Sequence, residues 1–273
     1  MAVPEKNIEK LVKPRALSDY LLSQGHPVVT LAEVAKILGS SPKLAADALV
    51  RLRRSAYLFS PTPGLYVAVP PQFRTWKVVP ALDFIDPMMK ALGREYYVGL
   101  LSAAEIHGAA HQRAQVLQVM VNHLVHDRDF GRVKLRFFSG RRVGVVPTEL
   151  RNSSTGTYRV SSPATTVLDL ALRPRDAGGL SNVATVLHEL VEDDGLDARE
   201  LLNAAQYYPR SAVRRLGWLF DFTLAPFDTD SIISWLGPIT GRADVLLDAA
   251  GPRRGRSDHR WGIVVNAEVE ADL

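Results

Sequence analysis

The 273-residue chain has no cysteine. Disulfides and thiolate metal sites are thereby excluded, and a reducing, cytoplasmic location is expected. No run of about 18 apolar residues occurs, which is the length a membrane-spanning helix needs. No membrane partner is expected, and Met1-Ala2-Val3-Pro4-Glu5-Lys6 offers no apolar core of a signal peptide. The phosphate cradle G-x-x-x-x-G-K-[ST], the dinucleotide fingerprint G-x-G-x-x-G and the nucleophile elbow G-x-S-x-G are all absent. No Lys stands two residues after an acid, so the acid-x-Lys pair of many metal-dependent nucleases is missing too. There is no internal repeat and no low-complexity segment.

Histidine is what remains for catalysis. His107 and His111 are four apart, a spacing that puts two ligands on one helix face, but Gly108 follows His107 and no Glu completes H-E-x-x-H. His123 and His126 lie near Asp127 and Asp129, which reads first as a polar loop after a strand. The sequence therefore predicts no catalytic, metal or cofactor residues and no enzyme.

Charge is modest in total, +4, but uneven. Residues 1–80 hold 11 Lys and Arg against 5 Asp and Glu, an excess of +6, and the remainder holds 22 against 24. Such asymmetry points to a polyanion partner for the N-terminal part.

The stretch from Thr30 to Pro70 gives that partner a geometry. Thr30 with Glu33 has the form of a capping box, and Leu31, Val34, Ala35 and Leu38 recur at helical spacing up to Gly39. Ser41 and Pro42 suit a second helix start. In that helix Leu44, Ala45, Ala48, Leu49 and Leu52 are expected to form the packed face. Lys43, Asp47, Val50 and Arg54 are expected opposite, with Arg51 beside them. Tyr57 to Phe59 and Leu65 to Val69 are β-prone runs around Pro61-Thr62-Pro63-Gly64, a turn signal. Helix, turn, helix and hairpin make a winged helix, the arrangement that places a second helix in a major groove. The candidate contacts to double-stranded DNA are Ser41, Lys43, Asp47, Arg51 and Arg54, with Thr62 and Gly64 in the wing. The alternative for the arginines is an ordinary solvated face.

The expected fold class is α+β, a winged-helix DNA-binding domain over 1–75 and a larger mixed α/β domain over 81–273. Residues 70–80 read as a proline-bounded linker, in which Arg74 and Trp76 pack rather than bind. Beyond it, helices are expected over 82–92, 97–107, 163–172, 180–191, 197–206 and 210–224. Strands are expected over 115–122, 133–138, 143–146, 157–160, 243–247 and 261–267. The Gly251–Arg260 stretch is basic and reads as a solvated hairpin tip, and Asp193-Asp194 as a stop between helices.

Three segments together resemble a known family. These are Tyr97-Val-Gly-Leu-Leu-Ser-Ala-Ala-Glu-Ile-His-Gly108, the strand Val116 to Val121, and Arg159-Val-Ser-Ser-Pro-Ala-Thr-Thr-Val-Leu-Asp-Leu170. Following a small winged helix, they resemble the AbiEi antitoxins of type IV toxin–antitoxin pairs. The resemblance runs from about Leu17 to Phe222, with Trp261 to Asn266 as a further echo. One departure is Ala164-Thr165, where the family commonly has Glu and a basic residue. The resemblance implies an autorepressor that binds its promoter DNA and counteracts a cognate nucleotidyltransferase toxin, with no cofactor. Two other classes stay open: a ligand-responsive repressor, and a DNA-directed enzyme such as a nuclease.

Overall fold

Thr30 and Ser41 set the first helices in place, as their chemistry predicts. The Glu33 amide donates to the Thr30 hydroxyl at 3.4 Å and the Thr30 amide donates to the Glu33 carboxylate at 2.6 Å, closing the capping box. The Leu44 amide donates to Ser41 Oγ at 3.4 Å, and Pro42 takes the first helical position. Between the two helices Gly39 sits at φ +56°, the left-handed conformation that ends a helix with little strain.

The computed structural model describes residues 12–109, 116–192, 196–239 and 244–270. The architecture is α+β. Contacts divide the chain into two units: 1–94 with 129–134 and 152–158, and 95–128 with 135–151 and 159–273. The first unit thus runs past residue 75 and takes in two short later segments.

In the first unit the order is α1 (Leu17–Ser23), β1 (Val28–Thr30), α2 (Leu31–Leu38), α3 (Pro42–Arg54), β2 (Leu58–Thr62), β3 (Leu65–Ala68) and α4 (Ile85–Ala91). The strands form an antiparallel sheet in the order β1-β3-β2, with Val28 opposite Val67 and Leu58 opposite Ala68. Leu17, Leu21, Val34, Leu38, Ala45, Ala48, Leu49, Leu52 and Leu58 make its core. Each fully buried Leu contributes about 1.5–3 kcal/mol. The rings of Phe59, Phe84 and Phe130 meet edge-on, with centroids 4.8–5.9 Å apart, so a residue far along the chain completes this unit. The 70–80 stretch packs: Arg74 pairs with Asp19 at 2.9 Å and lies over the Tyr57 ring at 4.2 Å.

In the second unit β4 (Tyr96–Val98) leads through Gly99 into α5 (Leu100–Ile106). Next along the chain come β5 (Leu117–Val121), β6 (Arg128–Asp129), β7 (Lys134–Ser139), β8 (Thr148–Ser153) and β9 (Gly156–Ser161), of which residues 129, 134, 152–153 and 156–158 are counted with the first unit. Within this unit β5 runs antiparallel to β4 and parallel to β7, and β4 runs parallel to β9. Helices α6 (Pro163–Leu172), α7 (Leu180–Glu192), α8 (Ala198–Ala205), α9 (Arg210–Thr223) and α10 (Thr229–Leu236) follow. A last small sheet holds β10 (Val245–Leu246), β11 (Arg256–Asp258) and β12 (Ile263–Val265), in the order β10-β12-β11.

Two element expectations differ from the structure. Tyr97 and Val98 belong to a strand, and the helix begins only at Leu100, whose φ is +54°. Val143 to Val146 is a turn whose two end valines reach the core. Strands β6 and β8, helix α10 and the short strand at Arg256–Asp258 have no counterpart among the expected elements.

Candidate nucleic-acid interface and partner domain

Helix α3 packs through Ala45, Ala48, Leu49 and Leu52 and exposes the rest of its circumference. Lys43, Asp47, Val50 and Arg54 lie along the middle of the outward face at spacings of three and four. Arg51 flanks them on one side and Arg53 on the other, both exposed. Among the described residues none of Lys43, Arg51, Arg53 and Arg54 makes a salt bridge. Elsewhere some arginines are paired, as Arg74 is with Asp19, Arg175 with Asp248, Arg214 with Asp244 and Arg260 with Asp221 and Asp230, and others, such as Arg94, Arg199 and Arg253, are not paired among the described residues. The cations of α3 are the ones left without a protein counter-charge on this helix, even though Asp47 stands among them.

Two expectations about this face are corrected. Leu44 is 61% exposed and not part of the packed face, because it sits at the border of the buried arc where no neighbouring element covers it. Thr62 is 6% exposed, so its hydroxyl is not offered to a ligand. A register shift between Phe59 and Thr62 breaks the alternation of β2 and turns Thr62 inward. Gly64 is exposed at the hairpin tip with φ +83°, after Pro63, as a Pro-Gly turn requires. The hairpin between Leu58 and Ala68 carries no Lys or Arg, so its tip offers only backbone to a phosphate.

The second unit is organised on a buried polar network. Tyr97 donates its hydroxyl hydrogen to Asp169 Oδ2 at 2.8 Å, and Tyr208 donates to Oδ1 at 2.7 Å. All three side chains are buried. Burial pushes the Asp169 carboxyl up to about 6, against the hydrogen bonds from Tyr208 and Tyr97 and the positive charges of Arg142 and Arg173, which pull it down. Both phenols are raised well above their ordinary value, first by burial and then by the Asp169 charge. Around them Ser162 Oγ accepts from the Thr165 amide, Thr166 Oγ1 donates to the Ser162 carbonyl, and Thr165 Oγ1 donates to the Pro147 carbonyl. Ala164 and Thr165 are both buried here, so the α6 start of this chain presents no charged pair.

A second buried device is Arg215 on α9. Its guanidinium donates to the carbonyls of Leu247 at 2.6 Å, Ala171 at 2.7 Å and Leu246 at 3.0 Å. Burial lowers its pKa, against the nearby charge of Asp248. Two residues on, Gly217 leaves room for the indole of Trp261: a Cβ there would stand 2.1 Å from the ring. Trp261 donates its ring N–H to Asp221 at 2.7 Å. Sequence reading missed this set, although an arginine among Ala212, Val213, Leu216 and Leu219, like an acid inside Thr-Val-Leu-Asp-Leu-Ala-Leu, is a visible sign of a buried partner.

The histidines do not converge. His107 bonds the Ser161 carbonyl at 2.7 Å, and His111 lies outside the described residues. His123 and His126 are exposed, and no three His, Asp or Glu side chains converge among the described residues. Asp127 accepts from the Phe137 amide, and Asp129 accepts from the Gly131 amide, which together with Lys134 holds its carboxyl below the usual range. Asp197 caps α8 by accepting from Arg199 and Glu200 amides, while Asp193 and Asp194 lie outside the described residues. In the basic Gly251–Arg260 stretch, Arg253, Arg254 and Arg256 are exposed. No helix of the described residues is long and apolar enough to cross a membrane.

Comparison with known proteins places the second unit. Among curated proteins none matches the chain. Solved structures that match include the RV2827C protein from Mycobacterium tuberculosis, at 16% identity and a TM-score of 0.65, over 95% of this chain and 91% of that one. That likeness is one of fold. Residues 97–222 match the AbiEi antitoxin C-terminal domain. The segment begins at Tyr97, includes Asp169, Tyr208, Arg215 and Asp221, and so holds the Tyr97–Asp169–Tyr208 network, while Leu246, Leu247 and Trp261, which partner Arg215 and Asp221, lie beyond it. Residues 97–222, a little under half of the chain, thus carry the likeness to the AbiEi antitoxin C-terminal domain, and that likeness supports an antitoxin role.

Proposed function

We propose that the chain is an antitoxin and autorepressor: its first unit is a winged helix that binds duplex DNA in the promoter of its own operon, and its second unit counteracts a nucleotidyltransferase toxin. The observation that carries the DNA reading is the outward face of α3, where Lys43, Arg51, Arg53 and Arg54 are exposed without counter-charges. A helix presented this way, after a capped first helix and a tight turn, suits the major groove. Arg51 and Arg54 reach base edges or phosphates, Lys43 a phosphate, and the backbone at Gly64 the neighbouring minor groove. Ser41 contributes as the cap that fixes the start of α3.

The test is a mobility shift with the full chain and its upstream DNA. Arg51→Ala is expected to cost about 1–3 kcal/mol and to relax preference at one base position. Lys43→Ala is expected to weaken all sequences alike and to reduce the salt slope by about 0.9. Binding that ignores both changes would remove α3 from the interface.

On this reading the second unit acts on the toxin without chemistry of its own. Its buried Tyr97, Asp169 and Tyr208 are satisfied by one another, and His107 is spent on a backbone carbonyl. Co-expression of the chain with the adjacent nucleotidyltransferase is expected to restore growth, and the rescue is expected to survive replacement of His123 and His126 by Ala. Loss of rescue with the fold intact would point to catalysis instead. One feature favours the second reading, a repressor released by a small molecule. It is a cleft of about 520 Å³ in the first unit, lined by Leu22, Pro27, Phe73, Val79, Asn152 and Tyr158 among others.

A further inference from the structure

An exposed leucine or valine is unremarkable taken singly. On α3 there are two, and both stand among the cations. Leu44 is 61% exposed and Val50 46%, while the four inward positions are already filled by Ala45, Ala48, Leu49 and Leu52. The core of the unit therefore gives no reason for Leu44 or Val50 to be apolar. Leu44 stands two turns before Arg51 on the same lane of the helix, with Asp47 between them. Val50 stands between Lys43, Asp47 and Arg54.

We propose that Leu44 and Val50 read the C5-methyl groups of thymines, so that α3 recognises a thymine-containing stretch of B-form DNA flanked by a guanine. The inference rests on the DNA reading above and adds to it what the sequence of the site must contain. The thymine methyl is the one apolar group a base pair shows in the major groove, and an aliphatic side chain is its natural partner. Asp47 cannot approach a phosphate, but a carboxylate accepts from the exocyclic amine of cytosine, and arginine donates twice to guanine. Leu44, Asp47 and Arg51 in one lane thus pair an apolar reader, an acceptor and a bidentate donor. Leu44 also lies in the first turn after the Ser41 cap, and the N-terminal residues of a recognition helix are those that reach base edges. Double-stranded RNA does not fit: it lacks the methyl, and its major groove is too narrow for a helix to enter.

Thymine and deoxyuridine differ by the methyl alone, which gives a direct test. A duplex selected by the full chain from a random pool is made again with deoxyuridine for every thymidine, and binding is compared by titration at one salt concentration. Loss of one buried methyl contact is worth about fourfold. The wild-type chain is expected to bind the deoxyuridine duplex roughly tenfold more weakly. Leu44→Ala with Val50→Ala, a change at two exposed positions outside the core, is expected to bind both duplexes equally. Arg53→Ala is expected to weaken both by the same factor, keeping the tenfold ratio. Equal wild-type affinity for the two duplexes overturns the methyl reading and leaves DNA binding standing. A ratio that persists in the double variant overturns it as well. If selection enriches no duplex, the DNA reading falls and this one with it.

Discussion

Replacing Arg215 by Met is expected to destabilise the second unit by about 3–5 kcal/mol, read as a lower urea midpoint at unchanged slope. The side chain is buried, and its fork donates to Ala171, Leu246 and Leu247. Met fills much of the same volume but donates nothing, so three carbonyls lose their partner. An unsatisfied buried acceptor costs about 1–3 kcal/mol, and removal of the buried charge offsets part of the total. Arg215→Lys is the informative companion. An ammonium keeps the charge but cannot reproduce a planar fork to three acceptors, so about half of the loss is expected to remain. A Met variant within 1 kcal/mol of wild type would mean that the three carbonyls find other donors. The position matters because α6, α9 and β10 meet at this one side chain, and α9 is the helix at which the matched antitoxin segment ends.

Asp169 gives the second large effect, and its sign is the reverse of the usual carboxylate. Its folded-state value, about 6, lies above the ordinary 3.8. Between those values the folded chain holds a proton that the unfolded chain has lost, so stability falls as pH rises through that window. A shift of about two units corresponds to roughly 3 kcal/mol lost between pH 4 and pH 6.5. Asparagine imitates the neutral acid: its oxygen accepts from one phenol, and its amide group donates to the other hydroxyl. Asp169→Asn is therefore expected to match wild type near pH 4 and to exceed it by up to about 3 kcal/mol at pH 7. For a unit of this size that is a rise of roughly 6–12 °C in Tm. Parallel Tm–pH curves for the two proteins would show that Asp169 does not titrate in this range. The acid then persists at a cost to stability, and its two bonds fix Tyr97 on β4 and Tyr208 before α9 in one relative position.

How much of this was legible depended on local chemistry. The Thr30 and Ser41 caps, the Gly39 turn and the helices they bound were readable because each rests on residues within four positions of one another. Leu44 was misplaced because its angular position allows either face, and only tertiary packing decides. Thr62 was misplaced because a bulge breaks the period-two pattern on which strand faces are assigned. Tyr97 and Val98 sit in an apolar run too short to show a period, and the break from strand to helix lies at Leu100, a non-glycine residue at positive φ with no sequence signature. Strand β8 is polar and largely solvated along Thr148–Ser153, so it lacks the apolar alternation that marks a strand. The cationic face of α3 was legible, whereas the Tyr97–Asp169–Tyr208 and Arg215 sets depend on partners 31 to 72 residues apart.

The ring of Phe130 has a consequence for how the protein is made. The first unit includes residues 129–134 and 152–158, and Phe59 and Phe84 both meet that ring. A ribosome adding about 5–20 residues per second delivers the helices of this unit several seconds before Tyr158 emerges. In that interval Phe59 and Phe84 have each other but not Phe130. The nascent chain thus has a period in which the DNA-facing helix exists and the unit that carries it is unfinished. Completion of the first unit waits on translation well into the antitoxin segment, so a message cut short before that point yields no complete copy of the first unit.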